Sequence, residues 1–366
     1  MYCLTRDLSD QESVLAEFAF SDFDQRHIGR RSAPWTIHVE AGALEKVAYA
    51  AWCTAPWNTR AEAQSDGRVS KRIATLAYFW HLINNTPTYR AYETFVQAGL
   101  AENVAHLHTG DEYRYFHPIY EGDQITVDVE LSSYRDHVGR RGPMKFIEDI
   151  WSFRNQHNVL VAQLVRKVVT VYYERDEAPV ERAPAPRLSD MVPDDAVVTI
   201  PNQPFSTPTA VDVFGEARVG YRHEIGPVTW TMMVQWMGAV DDYARTHYDW
   251  DYARERGFPG GKPIVAGPHM GALMVAPVQA LIGRGAWIEN FDHIQRHPVN
   301  PNDRLKSFGV TSPSPDGDPD KRHVEAWLVD EEDRVVNWAT FDLRKWPDAP
   351  RGELSETWKP VKLGDA

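Results

Sequence analysis

One pattern of nine residues occurs twice in this chain. Residues 117–125 run His117, Pro118, Ile119, three further residues, Asp123, Gln124, Ile125, and residues 297–305 run His297, Pro298, Val299, three further residues, Asp303, Arg304, Leu305. A second echo follows each copy in the same order: Val161 to Lys167 resembles Ala339 to Lys345. Two echoes in one order at nearly one spacing predict a duplicated unit of roughly 140 residues, not a single large domain. The span between the copies, Arg175 to Phe205, holds Pro179, Pro184, Pro186, Pro193, Pro201 and Pro204. Proline has no N–H for a ladder, so the stretch reads as an extended connection. The expected layout is an N-terminal extension over 1–32, a first domain over 33–175, a Pro-rich linker over 176–204, a second domain over 205–346 and a tail over 347–366.

Each copy shows the same order of elements: an amphipathic helix, a long apolar helix, then strands. In the second copy Thr229 is placed to cap a helix that carries Met233, Val234, Trp236, Met237 and Val240. A short helix follows. Asp249 is its expected N-cap, Arg254 and Arg256 lie in its last turn, and Gly257 stands just beyond. The stretch Gly267 to Gly283 starts with Pro268 at a first-turn position and is apolar nearly all round, so other structure must wrap it. Strands are expected at Asp303–Val310, His323–Leu328 and Val335–Leu343, with the acidic turn Asp330 to Asp333 closing a hairpin. The first copy offers a helix around Ile73 to Leu82. Its strands are expected at Glu112–Phe116, Gln124–Ser132, Lys145–Phe153 and Val159–Tyr172. A buried helix wrapped by an antiparallel sheet, present twice, is an α+β fold.

Charge and composition narrow the function. Lys and Arg number 39 against 52 Asp and Glu, a formal net charge of −13. Phosphate backbones would repel such a chain, which argues against nucleic-acid binding. The two cysteines, Cys3 and Cys53, make no disulfide framework or metal motif, and Cys53 reads as packing. The start of the chain, Met1 to Val14, is polar and acidic, unlike a signal peptide. The apolar stretch Met270 to Gly283 falls short of the about 20 residues that span a bilayer. These features point to a cytoplasmic protein. The spacings His106-x-His108 and His293-x-x-x-His297 imitate metal pairs but have no evident third ligand. Asp316, Asp318 and Asp320 imitate a calcium loop, yet Lys321 and Trp327 stand where Gly and Glu are needed, so a hairpin tip is expected. No metal site is predicted.

The residues from Gly238 to Pro268 resemble the MaoC-like dehydratases, which include the (R)-specific enoyl-CoA hydratases. Asp242 and His247 stand at the positions of that family's catalytic Asp and His, five apart. The run Tyr248, Asp249, Asp251, Tyr252, Ala253 fits the next part of its signature. The turn Gly257 to Gly261 and the helix start Ala266, Gly267, Pro268 follow in register. With the duplication, the resemblance implies a double hot-dog fold, two tandem domains each wrapping a central helix. It departs from the family where Ala244 and Arg245 replace Asn and Pro, and where Ala266 replaces the His before the glycine. Aligned on the first copy, Val47 to Arg60, Asp242 falls on Ala55 and His247 on Arg60, so one active site per chain is expected.

The resemblance implies reversible hydration of a trans-2-enoyl thioester to a 3-hydroxyacyl thioester. Asp242 and His247 would share one water as general acid and base. The N–H of Gly267, at a helix start where backbone donors are unpaired, would hold the thioester oxygen. Pro268 supplies no N–H there, and glycine at 267 would let the ligand approach the backbone. The substrate brings its own CoA or phosphopantetheine, so no separate cofactor is implied. Arg245, Arg254, Arg256 and Lys262 form the expected cationic rim for its phosphates, although Arg254 and Arg256 also suit the helix C-terminus. His269 is either core packing or part of the pocket. His117 and His297 recur in both copies while the Asp–His pair does not, so they are expected at a strand start in a structural role. Two other readings remain open at this stage: a thioesterase on the same fold, and a non-catalytic subunit that binds acyl thioesters. Paired hot-dog domains also suit a homodimer.

Overall fold

The computed structural model describes residues 28–59, 71–87, 89, 104–139, 142–172, 184–201, 212–215, 217–283 and 286–345. Cys3, the polar start of the chain, Arg60, Pro179, Pro204 and the 347–366 tail lie outside them. The first half contains β1 (Trp35–His38), α1 (Ala41–Ala50), α2 (Pro56–Thr59), α3 (Tyr78–Asn84), β2 (Val104–Tyr115), β3 (Gln124–Gly139), β4 (Gly142–Arg154) and β5 (Leu160–Tyr172). The second half contains α4 (Leu188–Met191), β6 (Val197–Ile200), β7 (Gly220–Pro227), α5 (Trp230–Val240), α6 (Trp250–Glu255), α7 (Gly267–Ile282), β8 (Ala286–Gln295), β9 (Arg304–Pro313), β10 (Lys321–Asp330) and β11 (Val335–Lys345). All the strands join one sheet in the order β1-β3-β4-β5-β2-β8-β11-β10-β9-β7-β6. Each half contributes one curved run, and the antiparallel pair β2–β8 joins them, with Asp111 opposite His293. This is the expected α+β double hot-dog fold.

The recurring pattern is a turn, built identically in both halves. The N–H groups of Phe116 and His117 donate to the carbonyl of Val161, and those of Arg296 and His297 to that of Val336. The side chain of Asp123 accepts from the N–H of Tyr120 at 2.8 Å, and that of Asp303 from the N–H of Asn300 at 2.9 Å. Gly122 and Asn302 take φ values of 86° and 72° and donate to Val39 and Val228. The motif therefore repeats because it turns the chain into β3 and β9, with the carboxylate paying the turn's unpaired donor. His117 and His297 sit at these strand connections, as expected.

Helix α7 is buried almost throughout. It packs against β7 to β11 and, across the joint, against β2. The predicted caps of the neighbouring helices form: Thr229 accepts from the N–H of Met232 at 3.3 Å, and Asp249 from that of Tyr252 at 2.9 Å. Several expectations need correction. The first-half helix begins at Tyr78, because Ile73 to Thr75 lead in without helical bonds and Leu76–Ala77 form a turn; the N–H of Ala74 donates to Ile119 as that of Val265 does to Val299. The span expected as a linker includes α4 and β6, and β6 pairs in parallel with β7. Strands β1, β7 and β8 were not foreseen. The three aspartates at 316, 318 and 320 form the β9–β10 turn, where Asp316 pairs with Lys321 at 2.9 Å. No helix among the described residues is long and apolar enough to cross a membrane.

Candidate active site

Asp242 is aimed by the end of α5. Asp241 closes that helix in the left-handed region, with φ 57° and ψ 35°, and the N–H of Asp242 returns to the carbonyl of Met237 at 3.0 Å. Oδ1 of Asp242 accepts from the N–H of Ala244 at 3.3 Å. The other half of the molecule pins this loop. Asn84 donates to the carbonyl of Val240 at 2.8 Å, and Asn85 to the carboxylate of Asp241 at 2.8 Å. His247 ends a 3-10 turn, and its Nδ1 lies 2.8 Å from the carbonyl of Ile264. A carbonyl only accepts, so Nδ1 carries the hydrogen and Nε2 of the neutral ring has a free lone pair. That Nε2 lies 3.8 Å from Oδ2 of Asp242. The separation is too long for a direct hydrogen bond and short enough for one water oxygen to reach both atoms.

Asp242, His247 and Gly267 line one cavity of about 330 Å³. The second half also gives it Gln295 and the side of α6–α7, and the first half gives it Trp80, His106, His108 and Arg166. The N–H groups of Gly267 and His269 have no partner among the described residues, so the start of α7 presents unpaired donors beside the pair. The packing gives glycine at 267 a reason of its own. A Cβ there would lie 1.7 Å from Nε2 of Gln295 and 2.3 Å from Nδ1 of His108. Glycine makes room for two side chains of the protein itself.

Neither the four expected carrier contacts nor His269 lines this cavity. Arg245 bonds Asp249 at 2.8 Å and lies 4.7 Å over the ring of Tyr252. Arg256 is buried with its guanidinium 4.9 Å from the same ring. Arg254 pairs with Asp251, and Lys262 is exposed. Local carboxylates and one tyrosine thus organise the arginines around α6. His269 is fully buried and stacked on Trp236 at 4.8 Å, and burial pulls its pKa down to about 3, with His247 adding to the effect. Its place is in the core.

The same architecture recurs in the first half with different chemistry. Trp52 has φ 59° where Asp241 has 57°, and the N–H of Cys53 returns to Ala48 as that of Asp242 returns to Met237. Asn58 donates to the carbonyl of Ile73 at 2.8 Å, the bond that His247 makes to Ile264. Cys53 and Asn58 therefore occupy the positions of Asp242 and His247. The alignment with Ala55 and Arg60 is two residues out of register, because the copies differ in loop length. Leu76 stands at the place of Gly267 and Tyr115 at that of Gln295. A cavity of about 60 Å³, lined by Asn58, Leu76, Tyr115 and Trp287, lies at the equivalent place.

Sequence reasoning missed a buried cluster at the β2–β8 joint. Asp111 is fully buried. Its carboxylate faces Nε2 of His108 at 2.7 Å, Nε2 of His293 at 3.1 Å and the hydroxyl of Tyr113 at 3.1 Å. Burial alone would raise its pKa, but His108 and His293 hold it below the usual carboxylate range. Arg166, also buried, forks onto Asp149 at 2.6 Å and 3.1 Å. The early signals were the His106-x-His108 and His293-x-x-x-His297 spacings, each of which supplies one histidine of the cluster. His106 instead meets Thr170 at 2.8 Å. Among the described residues, no group of three or more ligand side chains converges on a metal position.

Residues 26–164 match the family model of the FAS1-like dehydratase domain region, the half without the Asp–His pair. No curated protein matches the chain in sequence. A solved MaoC-like dehydratase is similar with a TM-score of 0.63 at 17% identity, over 87% of this chain and 99% of that one. A MaoC-like dehydratase from Phytophthora capsici gives 0.53 at 13% identity, over 89% and 100%. A conserved Mycobacterium tuberculosis protein with a double hotdog fold gives 0.52 at 14%, over 89% and 98%. At such identities the likeness is one of fold, and it extends over both halves.

Proposed function

We propose that this chain, which has the double hot-dog fold of the MaoC-like dehydratases, is a hydro-lyase that adds water reversibly to a trans-2-enoyl thioester and yields the 3-hydroxyacyl thioester. One observation carries the reading: a carboxylate and a ring nitrogen 3.8 Å apart face a shared cavity beside the unpaired N–H of Gly267. In the forward direction the pair takes a proton from water, and the water oxygen bonds to C3 of the substrate. The C2–C3 π electrons move onto the thioester, whose oxygen gains negative charge next to the Gly267 N–H. C2 then receives a proton from the pair, and the sum is one water added across the double bond. Dehydration runs the same steps backwards. CoA or phosphopantetheine arrives with the substrate, and no resident cofactor is needed.

The test follows loss of the conjugated enoyl absorbance over a panel of trans-2-enoyl-CoAs from short to bulky. Asp242→Asn and His247→Ala should each lower turnover by about 10²–10⁴-fold. Either variant at full activity removes its residue from the mechanism. Release of free thiol from a saturated acyl-CoA, with the enoyl band untouched, would transfer the site to thioester hydrolysis.

A further inference from the structure

Between the unpaired N–H groups of Gly267 and His269, Pro268 leaves the start of α7 one donor fewer. The side chain of Gln295 lies against this same point. Its Nε2 would be 1.7 Å from a Cβ on Gly267, and both residues line the cavity. The buried cluster fixes which end of the amide sits there. A carboxylate accepts only, so His108 donates its Nε2 hydrogen to Asp111 and presents Nδ1 as an acceptor. The atom 2.6 Å from that Nδ1 must then be the NH₂ of Gln295, not its oxygen. One of its two hydrogens goes to His108, and the other has no partner among the described residues.

We propose that Gln295 is a second donor to the thioester oxygen, supplying beside the Gly267 N–H the hydrogen bond that Pro268 cannot. His108 and Asp111 are positioning residues contributed by the first half. A β-bulge makes their alignment work. Residues three apart on a strand point to opposite faces, but the register shift between His108 and Gly110 puts the side chains of His108 and Asp111 on one face. The degenerate half supports the assignment. There Leu76 replaces Gly267, and Tyr115 stands in the place of Gln295, its hydroxyl oxygen accepting from the N–H of Ile119 at 3.1 Å. The side-chain amide beside a helix-start glycine is present in the half that carries Asp242 and His247, and a leucine and a tyrosine stand at those two positions in the other.

This inference rests on the hydratase reading, and the experiment separates the two. Gln295→Met keeps the length and removes both donors. It should lower kcat about 10²–10³-fold, as loss of one oxyanion donor does, with KM little changed. The direct readout is the carbonyl stretch of carbonyl-¹³C crotonyl-CoA bound to Asp242→Asn, which holds the substrate unturned. The stretch should fall on binding, and adding Gln295→Met should reverse much of that fall. An unchanged stretch overturns the donor role, whether turnover survives or is lost along with thermal stability. Wild-type protein that polarises the carbonyl yet hydrates no thioester refutes the hydratase reading and leaves Gln295 as the donor. Wild-type protein that neither binds nor hydrates any of the panel overturns both.

Discussion

Cys53 and Asp242 occupy equivalent points on equivalent turns, and the difference between them defines the two halves. Cys53 is buried, and burial pushes its thiol up to about 12, so it is a packed neutral group with no nucleophilic character. Asn58 keeps the bond to the chain that His247 makes, which preserves the turn without an ionisable ring. Restoring the pair in the first half should therefore fail. Cys53→Asp places a carboxylate in an apolar site, which should cost about 2–4 kcal/mol at pH 7. The buried acid would have a folded pKa above its unfolded value. The penalty should thus appear as pH rises through the unfolded pKa and shrink near pH 4. Urea unfolding at the two pH values checks this. The double variant with Asn58→His should gain no turnover in an Asp242→Asn background, because Leu76 and Tyr115 fill the other two positions. A restored rate would show that the first half had lost only its acid–base pair.

The β2–β8 joint depends on a close backbone approach at one position. A Cβ on Gly110 would lie 2.2 Å from the carbonyl oxygen of His293, and backbone cannot yield as a side-chain end can. Gly110→Ala should destabilise the protein by at least the about 1–3 kcal/mol of an overpacked core, and turnover should fall further as His108 and His293 lose their places on Asp111. A variant with wild-type urea midpoint and turnover would show that the joint relaxes freely. The joint also marks the limit of what could be read in advance. Asp242, His247 and Gly267 were legible because one short segment carries them together with their caps and turns. Gln295, His108 and Asp111 meet only when two strands far apart in the chain pair, and no local pattern encodes that pairing. Strand β8 itself was hidden, since Glu289, Asn290, Asp292 and His293 interrupt its alternation; His293 is buried to serve the other half. The repeat announced the turns into β3 and β9, but uneven loop lengths shifted the match of Cys53 and Asn58 by two residues. The arginines around α6 were read from charge and spacing alone, which cannot show that Tyr252, Asp249 and Asp251 already engage them.

At the scale of the molecule, the buried histidines set its response to acid. His106 and His269 are held neutral, both with pKa pulled down to about 3, chiefly by burial, and His108, His117 and His223 are lowered by burial as well. In the unfolded chain each would titrate near 6.5. Between about pH 6.5 and 3 the unfolded state therefore binds more protons than the folded state, and stability must fall as pH falls through that window. His269 isolates the effect, because neither ring nitrogen has a hydrogen-bond partner among the described residues and the ring stacks on Trp236. Replacing it by an apolar ring of similar shape removes two unsatisfied polar atoms and one titrating group while keeping the stack. His269→Phe should thus be more stable than wild type at pH 5, with a smaller gain at pH 7 and a shallower loss between them. Urea midpoints at half-unit steps from pH 7 to 5 measure that slope. Equal slopes for the two proteins would mean that the ring finds a proton acceptor on folding and that the acid response arises elsewhere in the core.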